Sequence, residues 1–295
     1  MSNDSPSYRA VDAVVGIVLV IAMVALFLHL TSTDDEFSRY NPQWNGTSTV
    51  FDRLEDQGSV MVRSPADIDE GEDRTLLVIA PFRIPTVEEE AAYRNFVASG
   101  NTLVLADDFG SGNELLAAVG SSVRLDHGNL SSFNREFEIS KAPIGYPVSN
   151  RSSVSGFSKI VFNHPVAVFG GEPLVNTTPF SWVDKDGDGR ANSSEPLDRF
   201  TVMAEEAVGA GRVIVIGDAS LVITAMQRLP DCDNDLLVRR LIANATFVDQ
   251  RLSQTEVAEG PISTFLWVRE IPSLVVVVTT LSLGVIAWSL NRRRR

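Results

Sequence analysis

The stretch GAGRVIVIGDASLV (209–222) is the one on which the fold turns. Gly209 and Gly211 make a glycine turn, VIVI (213–216) is a continuous apolar run, and Gly217 with Asp218 gives a polar end. An apolar run without alternation is what a strand buried on both faces requires. NDLLVRRLIANA (234–245) follows as an amphipathic helix. The same unit recurs upstream. TLLVIAP (75–81) is a second unalternated run, and NTLVLADD (101–108) a third. Between them TVEEEAAYRNFVASG (86–100) reads as a helix, with Thr86 and Glu89 spaced as a capping box and Gly100 placed to end it. TSTVFDRLEDQ (46–57) and residues 113–119 are shorter helices, and SVMVRS (59–64), KIVFN (159–163) and VAVFGG (166–171) are strands. Residues 126–158 resist parsing. Strands alternating with helices predict an α/β fold, a doubly wound and mostly parallel sheet with helices on both faces.

Two uncharged apolar runs bracket this pattern, Ala13 to Leu30 and Ile271 to Leu290. Each has about the 20 residues a helix needs to cross a bilayer. The sequence therefore predicts transmembrane helices at 11–30 and 271–290, around an outer domain of residues 31–270. Arg292 to Arg295 follow the second run directly, whereas Asp34, Asp35 and Glu36 follow the first. Basic residues stay in the cytoplasm. Both short termini, 1–10 and 291–295, are thus expected inside and the domain outside, in a two-pass protein of the cell membrane. HLTSTDD lacks the small-residue site of a cleaved signal peptide.

The domain holds 36 acidic against 20 basic residues, and the chain has only three lysines. That is a surface of the kind found in salt-rich environments. It excludes nucleic acid as a partner, because no basic patch meets phosphate. Cys232 is the only cysteine, so no intrachain disulfide forms. Six Asn-x-Ser/Thr sequons fall between the runs, consistent with an external surface. Asn45, Asn129, Asn150 and Asn176 are candidate glycosylation sites. Asn192 and Asn244 are set aside, one for its place in a metal-type loop and the other for its place in a helix.

That loop is DKDGDGRANSSE (184–195). Calcium takes six to eight oxygens, and alternating acids around a glycine let a short loop wrap it. Asp184, Asp186 and Asp188 offer carboxylates, Arg190 a backbone carbonyl, Asn192 a water-mediated contact and Glu195 two oxygens. Ala191 departs from the usual aliphatic residue, and Pro196 leaves no room for a flanking helix. The expectation is a structural calcium site of about 10⁻⁴–10⁻³ M affinity. Its plain competitor is an acidic turn.

Ligands of doubly wound sheets bind beyond the carboxyl ends of the strands. Asp107, Asp108 and Asp218 end strands here, and Asp233 with Asn234 opens the last helix, so these five mark a possible ligand edge. Asp and Asn are equally the residues of turns and caps. Cys232 sits among aspartates, which weaken a thiolate. No G-x-S-x-G elbow, dinucleotide fingerprint or P-loop occurs. These features point away from an enzyme.

RYNPQWNGTSTVFDRLEDQGSVMVRSP (39–65), LLVIAP with FVASGNTLVLADDFGSGN (96–113), FSWVDKDGDGRANSSEP (180–196) and GAGRVIVIGDASLVI with DNDLL resemble an uncharacterised prokaryotic family, domain of unknown function 4350, in an archaeal-looking version. The likeness covers most of residues 36–247. It implies a class I glutamine amidotransferase-like α/β domain held by membrane helices, similar to the outer domain of gliding-motility auxiliary components of ABC transporters. Such a fold would carry its catalytic cysteine after LVLADDFGSG. Asp108 and Phe109 stand there instead, which implies that hydrolase activity is lost. The reading is a membrane-anchored, non-catalytic outer domain that binds or scaffolds other membrane or envelope proteins, as in a transporter accessory. The alternative is a cell-surface hydrolase using Asp108 and Asp218.

Overall fold

The structure is a computed structural model. It describes residues 6–256 apart from 31, 70, 109, 135 and 138–140, with scattered positions between 271 and 284. The chain divides into two units, one of Asp34–Glu256 and one of the two ends. In the terminal unit, helix α1 (Pro6–Leu30) runs for 25 residues. Its side chains are described from residue 14 to 26, and Val14, Ile17, Ile21 and Val24 among them are exposed. Among the described residues no helix is long and apolar enough to cross a membrane. The expected second span, 271–290, and the arginine tail lie largely outside the described residues.

The 34–256 unit begins with α2 (Ser48–Asp56), β1 (Val60–Val62), β2 (Thr75–Ile79), α3 (Val87–Ala98), β3 (Thr102–Ala106) and α4 (Gly112–Val119). A strand-rich middle follows: β4 (Arg124–Ser132), β5 (Ile144–Pro147), β6 (Ile160–Val161), β7 (Val166–Phe169), β8 (Glu172–Thr177) and β9 (Ser181–Asp184). It closes with β10 (Thr201–Val208), β11 (Gly211–Ile216), the single turn α5 (Thr224–Gln227), α6 (Asn234–Ile242) and β12 (Ala245–Asp249).

Nine strands form one sheet in the order β1-β12-β2-β3-β11-β10-β8-β5-β6, and β7-β4-β9 form a second. The ladders from β1 to β11 are parallel. Those from β11 to β6 are antiparallel. The expected mostly parallel sheet is therefore half right. Parallel neighbours need a crossover helix, while antiparallel ones can be joined by two residues. Gly209 and Ala210 make such a turn between β10 and β11, with Gly209 at φ +60°. The glycine turn read as an approach to one strand is thus the tip of a hairpin.

Side chains of the parallel half alternate between two cores. Leu77, Ile79, Val104, Ile214 and Ile216 pack with Val50, Phe51 and Leu54 of α2 and Leu237, Val238 and Ile242 of α6. On the other face Leu76, Val78, Leu103, Leu105 and Val213 pack with Tyr93 and Phe96 of α3 and Leu115 and Leu116 of α4. Each such side chain contributes about 1.5–3 kcal/mol by leaving water, which is why the centres of these runs carry no polar residue. The capping box of α3 forms as read: Thr86 Oγ1 accepts from the Glu89 amide and Glu89 Oε2 from the Thr86 amide. Glu89 is also buried against Arg83 and Arg251 (2.7 and 2.9 Å). Burial alone would raise its pKa, but the bonds from Arg83, the Thr86 amide and Arg251 outweigh it and bring it down to about 2.

After β12 the chain turns back along the carboxyl edge of β2. Ser253 Oγ accepts from the Ile79 amide, and the Gln254 amide donates to the Ala80 carbonyl. Asp249, fully buried, fixes that turn by accepting from the Leu252 and Ser253 amides (2.7 Å each) and from the Tyr93 hydroxyl (2.5 Å).

Candidate functional site

Two acidic clusters stand out, and the strands explain both. β9 pairs antiparallel with β4, placing Asp184 opposite Asn129 and Trp182 opposite Ser131. Asp184 ends β9, so the loop's first carboxylate is fixed by a sheet and is 5 % exposed. Its Oδ2 accepts from the Gly189 amide at 3.0 Å, and its Oδ1 is buried with no hydrogen-bond partner. Carboxylate oxygens of Asp184, Asp186 and Asp188 lie within 4.8 Å of one another. Gly187 and Gly189, at φ +75° and +72°, bend the backbone so that the three converge. Asn192 joins them by donating from Nδ2 to Asp186 Oδ2.

Glu195 stands back from the cluster. Its oxygens accept from the Lys185 and Asn192 amides (2.7 and 3.3 Å), and the side chain is buried. The nearby ammonium groups turn to carbonyls and not to the acids: Lys185 Nζ donates to Ser194 O and Lys141 Nζ to Gly187 O. Hard oxygen donors in this number fit calcium. An orphaned buried carboxylate oxygen is the atom a cation would satisfy. Asp184, Asp186, Asp188 and the Arg190 carbonyl would hold the ion, with Glu195 completing the shell on releasing its amides.

The second cluster lies at the carboxyl edge of β3 and β11. Asp107 is buried, and its two oxygens accept from the Gly110 and Gly112 amides (2.9 Å each). Glycine is required at 110, where a Cβ would stand 2.0 Å from the Pro81 carbonyl oxygen. Asp218, with no exposed surface, accepts from the Asn163 amide at 2.7 Å through Oδ2, while its Oδ1 makes no hydrogen bond. Asp108 makes one long contact to the Ala219 amide, 3.4 Å. Burial, then the charges of Asp218 and Asp107, push the Asp108 carboxyl up to about 9. Burial pushes Asp218 up to about 7. Like charges in poor solvent resolve their repulsion by keeping a proton.

Asp108 lines a cavity of about 340 Å³ with Asp107, Asn113, Asp126, His127 and Asn129. The last three belong to β4, in the segment that showed no sequence periodicity. β4 shifts register between Leu125 and Asn129, which explains the missing alternation. Phe109 lies outside the described residues.

Asp233 and Asn234 do not join this edge. Asp233 accepts from the Ser158 and Lys159 amides, and Asn234, fully buried, exchanges two 2.9 Å bonds with the backbone of Val161. They hold β6 against α6. Cys232 is raised by burial first and then by the Asp233 charge. Of the sequons, Asn150 is exposed in a loop, Asn45 accepts a bond from Asn41, and Asn129 and Asn176 lie within strands. Asn244 lies in the exposed turn after α6, so its exclusion as a helical residue does not hold.

The family described as Domain of unknown function (DUF4350) matches residues 39–242. No curated protein matches the sequence. Among solved structures, the "mmIFT52 N-terminal domain" is similar over 66 % of this chain and 90 % of its own, at 14 % identity and a TM-score of 0.49. The beta-galactosidase from Bacillus circulans sp. alkalophilus is similar over 60 % of this chain and 23 % of its own, at 14 % identity and 0.37. The polyextremophilic beta-galactosidase of the Antarctic haloarchaeon Halorubrum lacusprofundi is similar over 58 % and 22 %, at 16 % identity and 0.34. None of the three reaches a TM-score of 0.5.

Proposed function

The chain belongs to the Domain of unknown function (DUF4350) family, and on that premise we propose that it is a membrane-anchored, non-catalytic binding or scaffold protein stiffened by calcium. Its outer domain serves an assembly of membrane or envelope proteins, of the transporter-accessory kind. The observation that carries the calcium part is Asp184 Oδ1, buried, unpartnered and within ligand reach of Asp186 and Asp188. Anchoring is supported by α1, whose described side chains are apolar and exposed around the helix, as lipid-facing residues are. The terminal arginines favour a cytoplasmic C-terminus. The exposed loop around Asn150 is the best supported place for a glycan.

Calorimetry and thermal melting of the detergent-solubilised chain in high salt test this reading. Calcium should release heat and raise the melting temperature, and Asp184→Ala and Glu195→Ala should abolish both. Absence of heat and shift in the unaltered chain would reduce the loop to an acidic turn.

A carboxylate-dependent hydrolase is the second reading, favoured by the position of Asp108 on a cavity beside His127. Against it, Asp218 has no exposed surface and Asp107 is spent on two amides. Turnover of a chromogenic ester or glycoside that disappears in Asp108→Asn would reverse this ranking.

A further inference from the structure

The parallel strands that end in aspartates at their carboxyl edge begin with polar residues at the other. Thr75 and Thr102 are the first residues of β2 and β3, and Arg212 is the second of β11. Thr102 is paired with both Thr75 and Arg212, and Arg212 with Ala207 of β10. Residues paired across strands share a face of the sheet. Two positions further on, that face carries Leu77, Val104 and Ile214, which pack with Leu237, Val238 and Ile242 of α6. α6 ends at Ile242, and beyond it the polar row floors a cavity of about 910 Å³, walled by Arg74, Arg151, Glu172 and Glu205. A second hollow of about 330 Å³ shares Thr75, Thr102, Arg212 and Asn244 with the first and adds Ser153.

Arg212 is aimed by its neighbours. Its Nε donates to Oγ1 of buried Thr102 at 3.0 Å. Its Nη1 stands 4.0 Å from Glu205 Oε1, too far for a hydrogen bond, while Arg151 Nη1 takes the same oxygen at 3.3 Å. Among the described residues neither terminal nitrogen of Arg212 has a hydrogen-bond acceptor, although half of the side chain is buried. The Ser153 hydroxyl oxygen is buried and also has no partner. A network built for stability alone closes such groups on one another. A guanidinium held by Nε with both terminal nitrogens free is instead a fork that fits a carboxylate.

We propose that this cavity binds a hydroxylated monocarboxylate of the sugar-acid kind, with the carboxylate on Arg212 and hydroxyls toward Ser153, Thr75 and Asn244. The charges limit the ligand to one negative group. Arg74 is matched by Asp69 and Arg151 by Glu172 and Glu205, which leaves Arg212 facing Asp73 and Glu206. A dianion such as phosphate is repelled there. An apolar acid satisfies the fork but leaves the Ser153 hydroxyl unpaired, which costs affinity. The site lies at the opposite end of the strands from Asp108 and draws on neither the calcium loop nor the membrane.

Calorimetric titration of the detergent-solubilised full chain in calcium-free buffer tests this with three probes. Glucuronate carries both kinds of group, glucose only the hydroxyls and hexanoate only the carboxylate. Glucuronate should bind at least about tenfold more tightly than either. Arg212→Lys keeps the charge and loses the fork, so it should weaken glucuronate about tenfold and leave the melting temperature unchanged. Ser153→Ala removes a hydroxyl that bonds nothing in the protein, and should weaken glucuronate while leaving hexanoate as it was. A glucuronate-ended oligosaccharide that binds more tightly than free glucuronate upholds the site and assigns it to a glycan, and the reverse order upholds it for a free acid. No binding of glucuronate, equal binding of glucose, or an affinity unaltered in both variants overturns the proposal. Tighter binding of inorganic phosphate overturns it as well.

Discussion

At the carboxyl edge of the sheet, Asp107 and Asp218 are buried and Asp108 is half-buried beside them. On the loop after β9, Asp184, Asp186 and Asp188 crowd together with two of the three in solvent. The residue type is the same and the solutions differ. At the edge, backbone amides bind Asp107 and Asp218, while burial and mutual repulsion keep a proton on the pair of Asp108 and Asp218. The loop has room for a cation, and its ammonium neighbours are occupied by carbonyls. Access to solvent decides whether clustered carboxylates answer their repulsion by protonation or by recruiting an ion.

Matched glycine substitutions probe the contrast most severely. Gly110→Ala forces a Cβ into the Pro81 carbonyl and loosens the Asp107 cap, and should cost about 3 kcal/mol in denaturant unfolding. Gly187→Ala meets open space and only left-handed strain, so its cost should stay near 1–2 kcal/mol. Equal losses would mean the two turns are equally packed.

Calcium comes next. At one hundred times its dissociation constant, an ion bound only by the folded chain stabilises by about 2.7 kcal/mol. That increment should vanish in Asp184→Ala and persist in Asp108→Asn. The reverse would move the metal to the strand edge.

Alkaline pH separates the clusters further. The folded Asp108 and Asp218 carboxyls lie above their unfolded value of 3.8. Their contribution is therefore full below that value and is lost as pH rises through about 7 and about 9. Melting temperature should fall across that window, and Asp108→Asn should flatten the fall. The smallest effect lies on the acid side. Glu89, depressed to about 2, contributes above its unfolded value of 4.5 and loses that contribution as pH drops toward 2. Removing one of its partners by Arg251→Ala should weaken this acid limb in melts below pH 5.

The same contrast explains what the sequence disclosed. The central residues of β2, β3 and β11 (76–79, 103–106 and 213–216) are buried on both faces, so they are all apolar and the runs are unmistakable. The loop is spelled out locally, because its acids and glycines sit within twelve residues. What escaped depends on distant partners. β4 carries polar residues and a register shift, and its mates β7 and β9 lie far downstream, with Asn129 paired to both Val166 and Asp184. β12 follows α6 too closely to separate from it, since Ala243 and Ala245 extend the apolar pattern across the turn. The burial of Asp249 and Glu89 has no local signal, because the Tyr93, Arg83 and Arg251 groups that satisfy them come from elsewhere in the chain.

The nine-stranded sheet ends in β1 on one side and β6 on the other, three and two residues long. These are its shortest strands. Outermost strands present unpaired amides and carbonyls to any passing chain, and brevity limits how many can be zipped at once. Truncated borders leave a second copy of the chain few backbone groups to pair with at either end of the sheet.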